Sequence, residues 1–336
     1  MKKSLLILLI SIFLLAGCGI VDEFKGPVDP EDTTEILVNI PSGSSTTSIG
    51  ETLVEYDLIY NTMIFKQVVK DLGYDGKLQA GDYKLSRSST IDAIVEKLYT
   101  GDVHVETITF TIPEGLELDE IIDVLMKETV IQDRERFMTV LKAEVKNYPL
   151  FSNLDLKNYE GLLFPDTYTV KKEASVSEVI NKMLNRMVVV FSEKMLKDID
   201  EKNLDLYKII TLASIIEREI VHDEERPIAS SVFYNRLDIN MKLQSCATVQ
   251  YIIEERKPIL LNSDIAIEND YNTYKYPGLP PGPIASPGEA SIKAAVYPDE
   301  TDYLYFVRSY ENDDSHIFST NLADHDRAAK RLKEGE

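Results

Sequence analysis

One acidic residue stands among apolar neighbours in the segment Thr-Leu-Ala-Ser-Ile-Ile-Glu-Arg-Glu, residues 211–219. On a helix that turns about 100° per residue, Ala213 and Val221 flank Glu217 at four residues on either side. The face around Glu217 is therefore predicted to be apolar. Burial raises the pKa of a carboxyl group, and a carboxyl that keeps its proton near neutral pH can serve as a general acid. Glu217 is the candidate catalytic residue.

Two other interpretations of this segment stay open. Glu217 could pair with an arginine such as Arg236 and hold two helices together. Glu219 is a second candidate for the acid, but it lies next to the acidic turn at 222–225 and is expected to be better hydrated.

Polar side chains follow in the segments after this helix. Amide and phenol groups suit the hydroxyl and acetamide groups of sugars, and four prolines between 277 and 283 would stiffen the loop that carries several of them. Taken singly, each polar residue is more typical of loop capping, so the cluster carries the prediction of a groove for a glycan. The expected substrate-binding residues are Asn235, Gln244, Tyr271, Asn272 and Tyr274.

Several other chemistries find little support. The four histidines, at 104, 222, 316 and 325, show no metal-ligand spacing, so neither a metal nor another cofactor is expected. No Gly-rich phosphate loop and no Gly-x-Ser-x-Gly motif occurs. A formal net charge of −21 argues against nucleic acid as a partner.

The first residues predict a processed export signal. Lys2 and Lys3 precede an apolar run over 5–15, which is shorter than the roughly 20 residues that span a bilayer. Leu-Ala-Gly-Cys at 15–18 resembles the lipobox of bacterial lipoproteins, which implies cleavage and lipid attachment at Cys18. An uncleaved membrane anchor with an incidental cysteine is the alternative. Cleavage would take the formal charge to −23, and lipidation would leave Cys246 without an intrachain disulfide partner.

The chain order predicts five parts. They are a signal peptide at 1–17, an acidic tether at 18–34, a β-α module at 35–105, a second strand–helix module or connector at 106–155, and a catalytic domain at 156–336. The lipid would anchor the protein to the outer face of the cytoplasmic membrane, in the extracytoplasmic space.

An internal repeat supports the two modules. Ile-Pro-Ser-Gly at 40–43 is matched by Ile-Pro-Glu-Gly at 112–115. Apolar residues 49, 53 and 59 recur at the same offsets as 121, 125 and 131. Each copy predicts a strand, a Pro-Gly turn and an amphipathic helix, although a generic turn could also recur by chance.

The fold class is predicted to be α+β, with small β-α modules followed by a mixed α/β catalytic domain rich in helices. Helices are expected at 175–197, 204–221, 226–237, 246–256, 287–297 and 322–332, and strands at 303–307 and 316–319.

Several long motifs follow one another between residues 155 and 330. They are Glu-Gly-Leu-Leu-Phe-Pro-Asp-Thr-Tyr at 160–168, Ala-Ser-Ile-Ile-Glu-Arg-Glu at 213–219, Val-Phe-Tyr-Asn-Arg-Leu at 232–237, Leu-Gln at 243–244, Tyr-Asn-Thr-Tyr at 271–274 with Gly-Leu-Pro-Pro-Gly at 278–282, and Tyr-Leu-Tyr-Phe at 303–306. In this order they resemble the YceG-like (MltG-like) endolytic murein transglycosylases.

The resemblance implies a lyase that acts on peptidoglycan glycan strands. Such an enzyme cleaves the MurNAc–GlcNAc β-1,4 bond inside a strand and leaves a 1,6-anhydro-MurNAc end. The family's catalytic glutamate maps to Glu217, and residues 35–105 correspond to a LysM-like module. Proteins of cell-wall synthesis are further expected partners.

Two departures from the family stand out. Familiar relatives are held by a transmembrane helix, whereas this chain carries a lipobox. Ser-Cys-Ala-Thr at 245–248 stands where some relatives have Thr-Asp-Pro-Thr, so a role of that aspartate does not transfer to Cys246.

Two other functions stay open. One is a muramidase-type hydrolase in which Glu217 works with a second acid such as Asp166 or Glu160. The other is a peptidoglycan-binding lipoprotein without catalysis.

Overall fold

The computed structural model describes residues 24–128, 130–311 and 313–334. The predicted signal peptide and Cys18 lie outside the described residues. The chain divides into two compact units, one ending at Glu106 and the other beginning at Thr107. Across the described residues, no helix combines the length and apolar character needed to cross a membrane.

The first unit is a two-stranded antiparallel sheet with three helices. Strand β1 (Glu35–Ile40) pairs with β2 (Gly81–Ser86), and the helices are α1 (Thr46–Glu55), α2 (Thr62–Asp71) and α3 (Ile91–Thr100). Alternate strand residues such as Val38 and Tyr83 point inward and are fully buried with the apolar faces of the helices.

The described part of the predicted tether packs onto this unit. The Tyr60 hydroxyl donates to the carbonyl of Val28 at 3.1 Å, and the Phe24 ring meets the Tyr60 ring edge-on. The Asp29 N–H donates to the carbonyl of Arg87, whose guanidinium pairs with Asp32. Residues 24–34 of the predicted tether are therefore held on the first unit by hydrogen bonds and an ion pair.

The second unit contains the other strands and helices. Strands β3 (Thr107–Thr111) and β4 (Thr167–Lys171) pair antiparallel, as do β5 (Tyr305–Arg308) and β6 (His316–Ser319). The helices are α4 (Leu118–Lys127), α5 (Arg134–Glu144), α6 (Pro149–Ser152), α7 (Val176–Val190), α8 (Glu193–Glu201), α9 (Leu206–Glu219), α10 (Arg226–Asp238), α11 (Cys246–Gln250), α12 (Asn262–Ile265), α13 (Glu289–Val296) and α14 (Leu322–Glu334).

The α+β class is confirmed, and all three sheets in the described part of the chain are antiparallel pairs. The pairing of β3 with β4 joins the predicted connector to the predicted catalytic domain in one compact unit, so no boundary between units lies near residue 155. The helix expected at 175–197 is two helices, because the Ser192 side chain accepts from the Met195 N–H and starts α8. The helix expected at 246–256 ends at Gln250.

Both copies of the repeat form a strand, a turn and a helix. Their glycines, Gly43 and Gly115, have φ angles of +81° and +76°, a backbone region that glycine adopts without strain. The matched apolar residues are buried in each copy: Ile49, Leu53, Ile59, Ile121, Leu125 and Ile131.

Helix α9 runs through the core of the second unit. Its residues 209–216 are buried on every face, which is typical of a central helix. The Asp205 side chain accepts from the backbone N–H groups of Tyr207 and Lys208 and caps the start of the helix. At the other end, Ile220 is extended, so the helix stops directly after the two glutamates of interest.

Candidate active site

Glu217 lies in the last turn of α9, with one carboxylate oxygen held in place. Its Oε2 accepts from the backbone N–H of Gly288 at 2.8 Å and lies 3.1 Å from Nη1 of Arg226. The side chain is 6% exposed. Among the described residues, no hydrogen bond reaches the second oxygen, Oε1. The carboxyl is therefore fixed through one oxygen, and the other makes no hydrogen bond within the described part of the chain.

Arg226, the first residue of α10, connects three elements around this carboxyl. Its Nε donates to the Asp223 carboxylate at 2.9 Å, and its Nη1 donates to the Ser291 hydroxyl on α13. The ion pair with Glu217 is buried on both sides, so losing one partner would leave a poorly solvated charge.

These contacts correct two expectations. The arginine next to Glu217 is Arg226, whereas Arg236 donates to the backbone carbonyls of Leu243 and Leu304. The surroundings of Glu217 are also not purely apolar, because a guanidinium and an amide N–H both stabilise its negative charge.

The turn of the second repeat copy packs against the end of α9. A Cβ at Gly115 would lie 3.7 Å from Cγ of Glu217, and the Gly115 carbonyl accepts from Nη1 of Arg218 at 3.0 Å. The positive φ of Gly115 and its contacts with α9 both favour glycine at this position.

Glu114, from the same turn, is a second carboxyl at this site. Its carboxyl group lies against the Cα of Gly288, where a Cβ would come 2.0 Å from Oε1 of Glu114. Glu114 is exposed as a residue, but partial desolvation of its carboxyl raises its pKa, and the negative charge of Glu217 raises it further. Sequence reasoning missed this residue. The repeat could have pointed to it, because the second copy has an acid, Glu114, where the first copy has Ser42.

Glu219 faces a different part of the unit. Its Oε1 accepts from the Ser245 hydroxyl and, at 3.0 Å, from the Ala247 N–H at the start of α11. The neighbouring Cys246 is exposed, and its Sγ lies 3.1 Å from the hydroxyl of Tyr274. Glu219 therefore holds the start of α11 against α9.

The model of the YceG-like family matches residues 38–331 of this chain. The chain belongs to the YceG-like family. The match includes both copies of the repeat, the end of α9 and the turn at Gly288.

Named relatives and a solved structure agree with this assignment. The chain is 34% identical to the endolytic murein transglycosylase of Bacillus subtilis, over 91% of this chain and 87% of that protein. It is 32% identical to the endolytic murein transglycosylase of Streptococcus pneumoniae strain D39, over 90% of this chain and 59% of that protein. The crystal structure of a YceG-like protein from Listeria monocytogenes superposes with a TM-score of 0.60 at 34% identity, covering 88% of this chain and 99% of that one.

Four of the expected substrate-binding residues of this YceG-like protein lie in or beside the loop around Thr273, namely Gln244, Tyr271, Asn272 and Tyr274. The Gln244 N–H donates to the Thr273 carbonyl, and its side chain is exposed. The Tyr271 hydroxyl accepts from Asn158 at 2.8 Å. The loop is braced from within, because the Thr273 hydroxyl accepts from the Ser245 N–H.

The expectation for Asn272 is wrong. The residue is 0% exposed, and its amide donates to the carbonyls of Ile265 and Ile267 while accepting from the Tyr274 N–H. A side chain that is fully buried and hydrogen-bonded inside a loop cannot touch a glycan.

Asn235 lies elsewhere in the unit. Both donors of its amide are used, by the carbonyl of Thr301 at 2.7 Å and that of Tyr303 at 2.9 Å. It lines a cavity of about 400 Å³ together with Ser231 and Tyr234.

Neither acid proposed as a partner of Glu217 shares a hydrogen bond or ion pair with it in the described part of the chain. Asp166 pairs with Nε of Arg186 at 2.6 Å, and this hydrogen bond lowers the pKa of Asp166. Glu160 accepts from the Leu118 N–H at 2.8 Å, and burial raises its pKa to about 8.

A cavity of about 890 Å³ opens at the start of α9, at the opposite end from Glu217. Its walls include Leu206, Tyr207, Leu279 and Pro280, and Glu217 is not among its lining residues. Within residues 24–128, 130–311 and 313–334, no three His, Cys, Asp or Glu side chains are placed to share a metal ion.

Proposed function

We propose that this YceG-like protein is an endolytic peptidoglycan lytic transglycosylase. It would cleave the MurNAc–GlcNAc β-1,4 bond within a glycan strand and release a 1,6-anhydro-MurNAc end. The names of the two relatives support the substrate and the activity. The observation that carries the catalytic assignment is the geometry of Glu217, whose Oε2 is fixed by Arg226 and Gly288 and whose Oε1 receives no hydrogen bond from the described residues.

The proposed mechanism uses Glu217 twice. Its protonated Oε1 donates to the glycosidic oxygen, and the bond from the MurNAc anomeric carbon to that oxygen breaks. The 6-hydroxyl oxygen of the same MurNAc forms a new bond to the anomeric carbon, and its proton passes to the Glu217 carboxylate. Water is not consumed, and the enzyme ends with its starting proton count.

The neighbours of Glu217 fit both halves of this cycle. Arg226 and the Gly288 N–H stabilise the carboxylate that forms after the proton is donated. An attack from within the same sugar gains the proximity advantage of an intramolecular reaction. One acid therefore suffices, whereas a hydrolase of the usual kind needs two.

Glu217→Gln tests the assignment. The glutamine can still accept from Gly288 but has no proton to donate, so we expect cleavage of purified sacculi to fall by roughly 10²–10⁴-fold while glycan binding persists. Mass spectrometry of released muropeptides measures the products. Glu219→Gln is the matched control on the same helix and should keep the anhydro products. Unchanged cleavage by Glu217→Gln would remove Glu217 from its role.

A muramidase-type hydrolase is the second candidate, and Glu114 favours it. The structure brings this second carboxyl against the same glycine that binds Glu217, and two carboxyl groups are the usual requirement of a hydrolase. The wild-type products separate the two reactions. Anhydro ends support the lyase, and reducing ends support the hydrolase.

We further propose that the protein acts outside the cytoplasm, anchored to the membrane by a lipid on Cys18. The first unit would be a LysM-like module that binds or orients glycan. A peptidoglycan-binding lipoprotein without catalysis remains the non-enzymatic alternative, and an inactive wild type that still binds sacculi would favour it.

A further inference from the structure

The second Ile-Pro-x-Gly turn brings an acid to the site that the one-glutamate mechanism does not use. Glu114 and Glu217 meet at a single residue, Gly288. The Gly288 N–H binds Oε2 of Glu217 at 2.8 Å, and the Glu114 carboxyl lies against its Cα. The absence of a side chain at Gly288 creates the space that Glu114 occupies, since any Cβ would collide with it.

The charges around this pair are unbalanced. Glu114, Glu217 and Asp223 supply three carboxyl groups, and Arg226 is the cation that acts on Glu114. Arg218 is directed to the Gly115 carbonyl and towards Glu117 and Glu120. Glu289, next to Gly288, pairs with Lys293 at 2.6 Å, so its charge is compensated locally.

Two neighbouring carboxyl groups resist losing both of their protons, and here the Glu217 side chain is buried whereas Glu114 is exposed as a residue. The second ionisation creates two adjacent negative charges, so the last proton leaves the pair at a higher pH than it would leave either acid alone. The raised pKa of Glu114, caused by partial desolvation of its carboxyl and by Glu217, agrees with this picture.

We propose that Glu114 is a positioning residue for the reaction, which acts through Glu217 by keeping one proton on the pair as the pH rises. This inference rests on the proposed function and assigns a role to the second repeat copy. Arg226 and the Gly288 N–H hold Glu217 through Oε2, and Glu114 places a second carboxyl against the same glycine. The pair therefore holds the proton that the first step requires.

The test is the pH dependence of kcat on soluble, uncrosslinked glycan strands. In Glu114→Gln the carboxyl is replaced by a neutral group of the same shape. We expect the alkaline limb of kcat to move to lower pH by about one unit, with KM changed by less than about threefold. Glu289→Gln is the matched control, because it removes a charge beside Gly288 that is already paired with Lys293. The alkaline limb of its kcat profile should lie at the same pH as that of the wild type.

A second variant covers the case in which Glu114→Gln does not fold. Gly288 has φ −74° and ψ 171°, which alanine adopts without strain, so Gly288→Ala keeps the N–H and displaces the Glu114 carboxyl. The alkaline limb of kcat for Gly288→Ala should also move to lower pH.

Two results would overturn the inference. One is an alkaline limb of kcat that stays at the wild-type pH in both Glu114→Gln and Gly288→Ala. The other is complete loss of cleavage in Glu114→Gln from a wild type whose products carry reducing ends, because Glu114 would then activate water. Equal activity of the wild type and Glu217→Gln would instead overturn the proposed function itself.

Discussion

Four glutamates of the second unit show how surroundings divide one side-chain type into different roles. Glu217 is fixed through one oxygen by Arg226 and an amide N–H, and its other oxygen has no hydrogen bond to the residues that the structure describes. Glu114 lies beside it, and its pKa is raised by partial desolvation and by its neighbour's charge. Glu219 holds the start of α11, and Glu160 lies at the start of α4. Within the described residues, the buried ion pair with Arg226 separates Glu217 from the other three glutamates.

Glu160 predicts a pH-dependent stability. Burial raises the pKa of Glu160 in the folded protein to about 8, above the usual value of 4.5 for a glutamate, so the folded protein binds this proton more tightly than the unfolded chain. The contribution to the free energy of unfolding is therefore fully present below about pH 4.5 and is lost as the pH rises towards about 8. Glu160→Gln removes the titration and should gain up to about 4 kcal/mol relative to wild type between pH 5 and pH 8.5.

Urea unfolding across that pH range measures the effect. Asp166→Asn is the control, because Arg186 lowers the pKa of Asp166, and its contribution is lost only as the pH falls through the acidic range. Its stability profile should run parallel to that of the wild type. A Glu160→Gln profile that is also parallel would contradict the raised pKa.

At the scale of elements, the site depends on where helices end. Helix α9 stops after Glu219, α10 begins at Arg226 and α13 begins directly after Gly288. The free N–H at the start of α13 binds the carboxylate from the end of α9, which satisfies a backbone donor that has no partner within its own helix. The proline-rich loop before α13 delivers Gly288 to this position.

Asn272 has a structural role in the loop between α12 and α13. Asn272→Ala would leave the carbonyls of Ile265 and Ile267 without their donor, so we expect the protein to lose about 1–3 kcal/mol of stability. Thermal unfolding measures this loss. Gln244→Ala is the control, because that side chain is exposed and its removal should leave the melting temperature unchanged. An Asn272→Ala variant that raises KM without lowering the melting temperature would restore it as a binding residue.

At the scale of the whole molecule, the two units have separate hydrophobic cores. One core is built from Val38 to Leu98, and the other runs from Phe110 to Val296. Residues 24–34 belong with the first unit, as the partners of Arg87 and Tyr60 show. Removing the first unit cleanly therefore means removing residues 24–106.

We expect that deletion to separate binding from cleavage. If the first unit binds glycan, binding to insoluble sacculi should fall by about tenfold or more, because a second attachment point is lost. Cleavage of soluble strands should persist, since Glu217 and the residues that contact it belong to the second unit. A co-sedimentation assay measures the binding, with circular dichroism as the check on folding. Unchanged binding would make the first unit a spacer.

Sequence periodicity predicted the elements better than it predicted the site. Repeat positions such as Ile49 and Ile121 are buried as their spacing indicated, and α9 and α10 lie close to their expected bounds. The break between α7 and α8 was missed because apolar spacing continues through it, and the capping role of Ser192 depends on the fold. Asn272 was misjudged because an amide in a loop has the same sequence signature whether it faces solvent or the loop interior.

The sequence alone determined the family, the α+β class and the place of Glu217 on a helix. Those properties follow from local patterns and long motifs. The tertiary structure decided which groups surround Glu217. Gly288 is 71 residues away along the chain, and Glu114 comes from the turn whose Gly115 contacts Arg218 across 103 residues. Contacts across such separations depend on how helices and turns pack, and no local pattern encodes them.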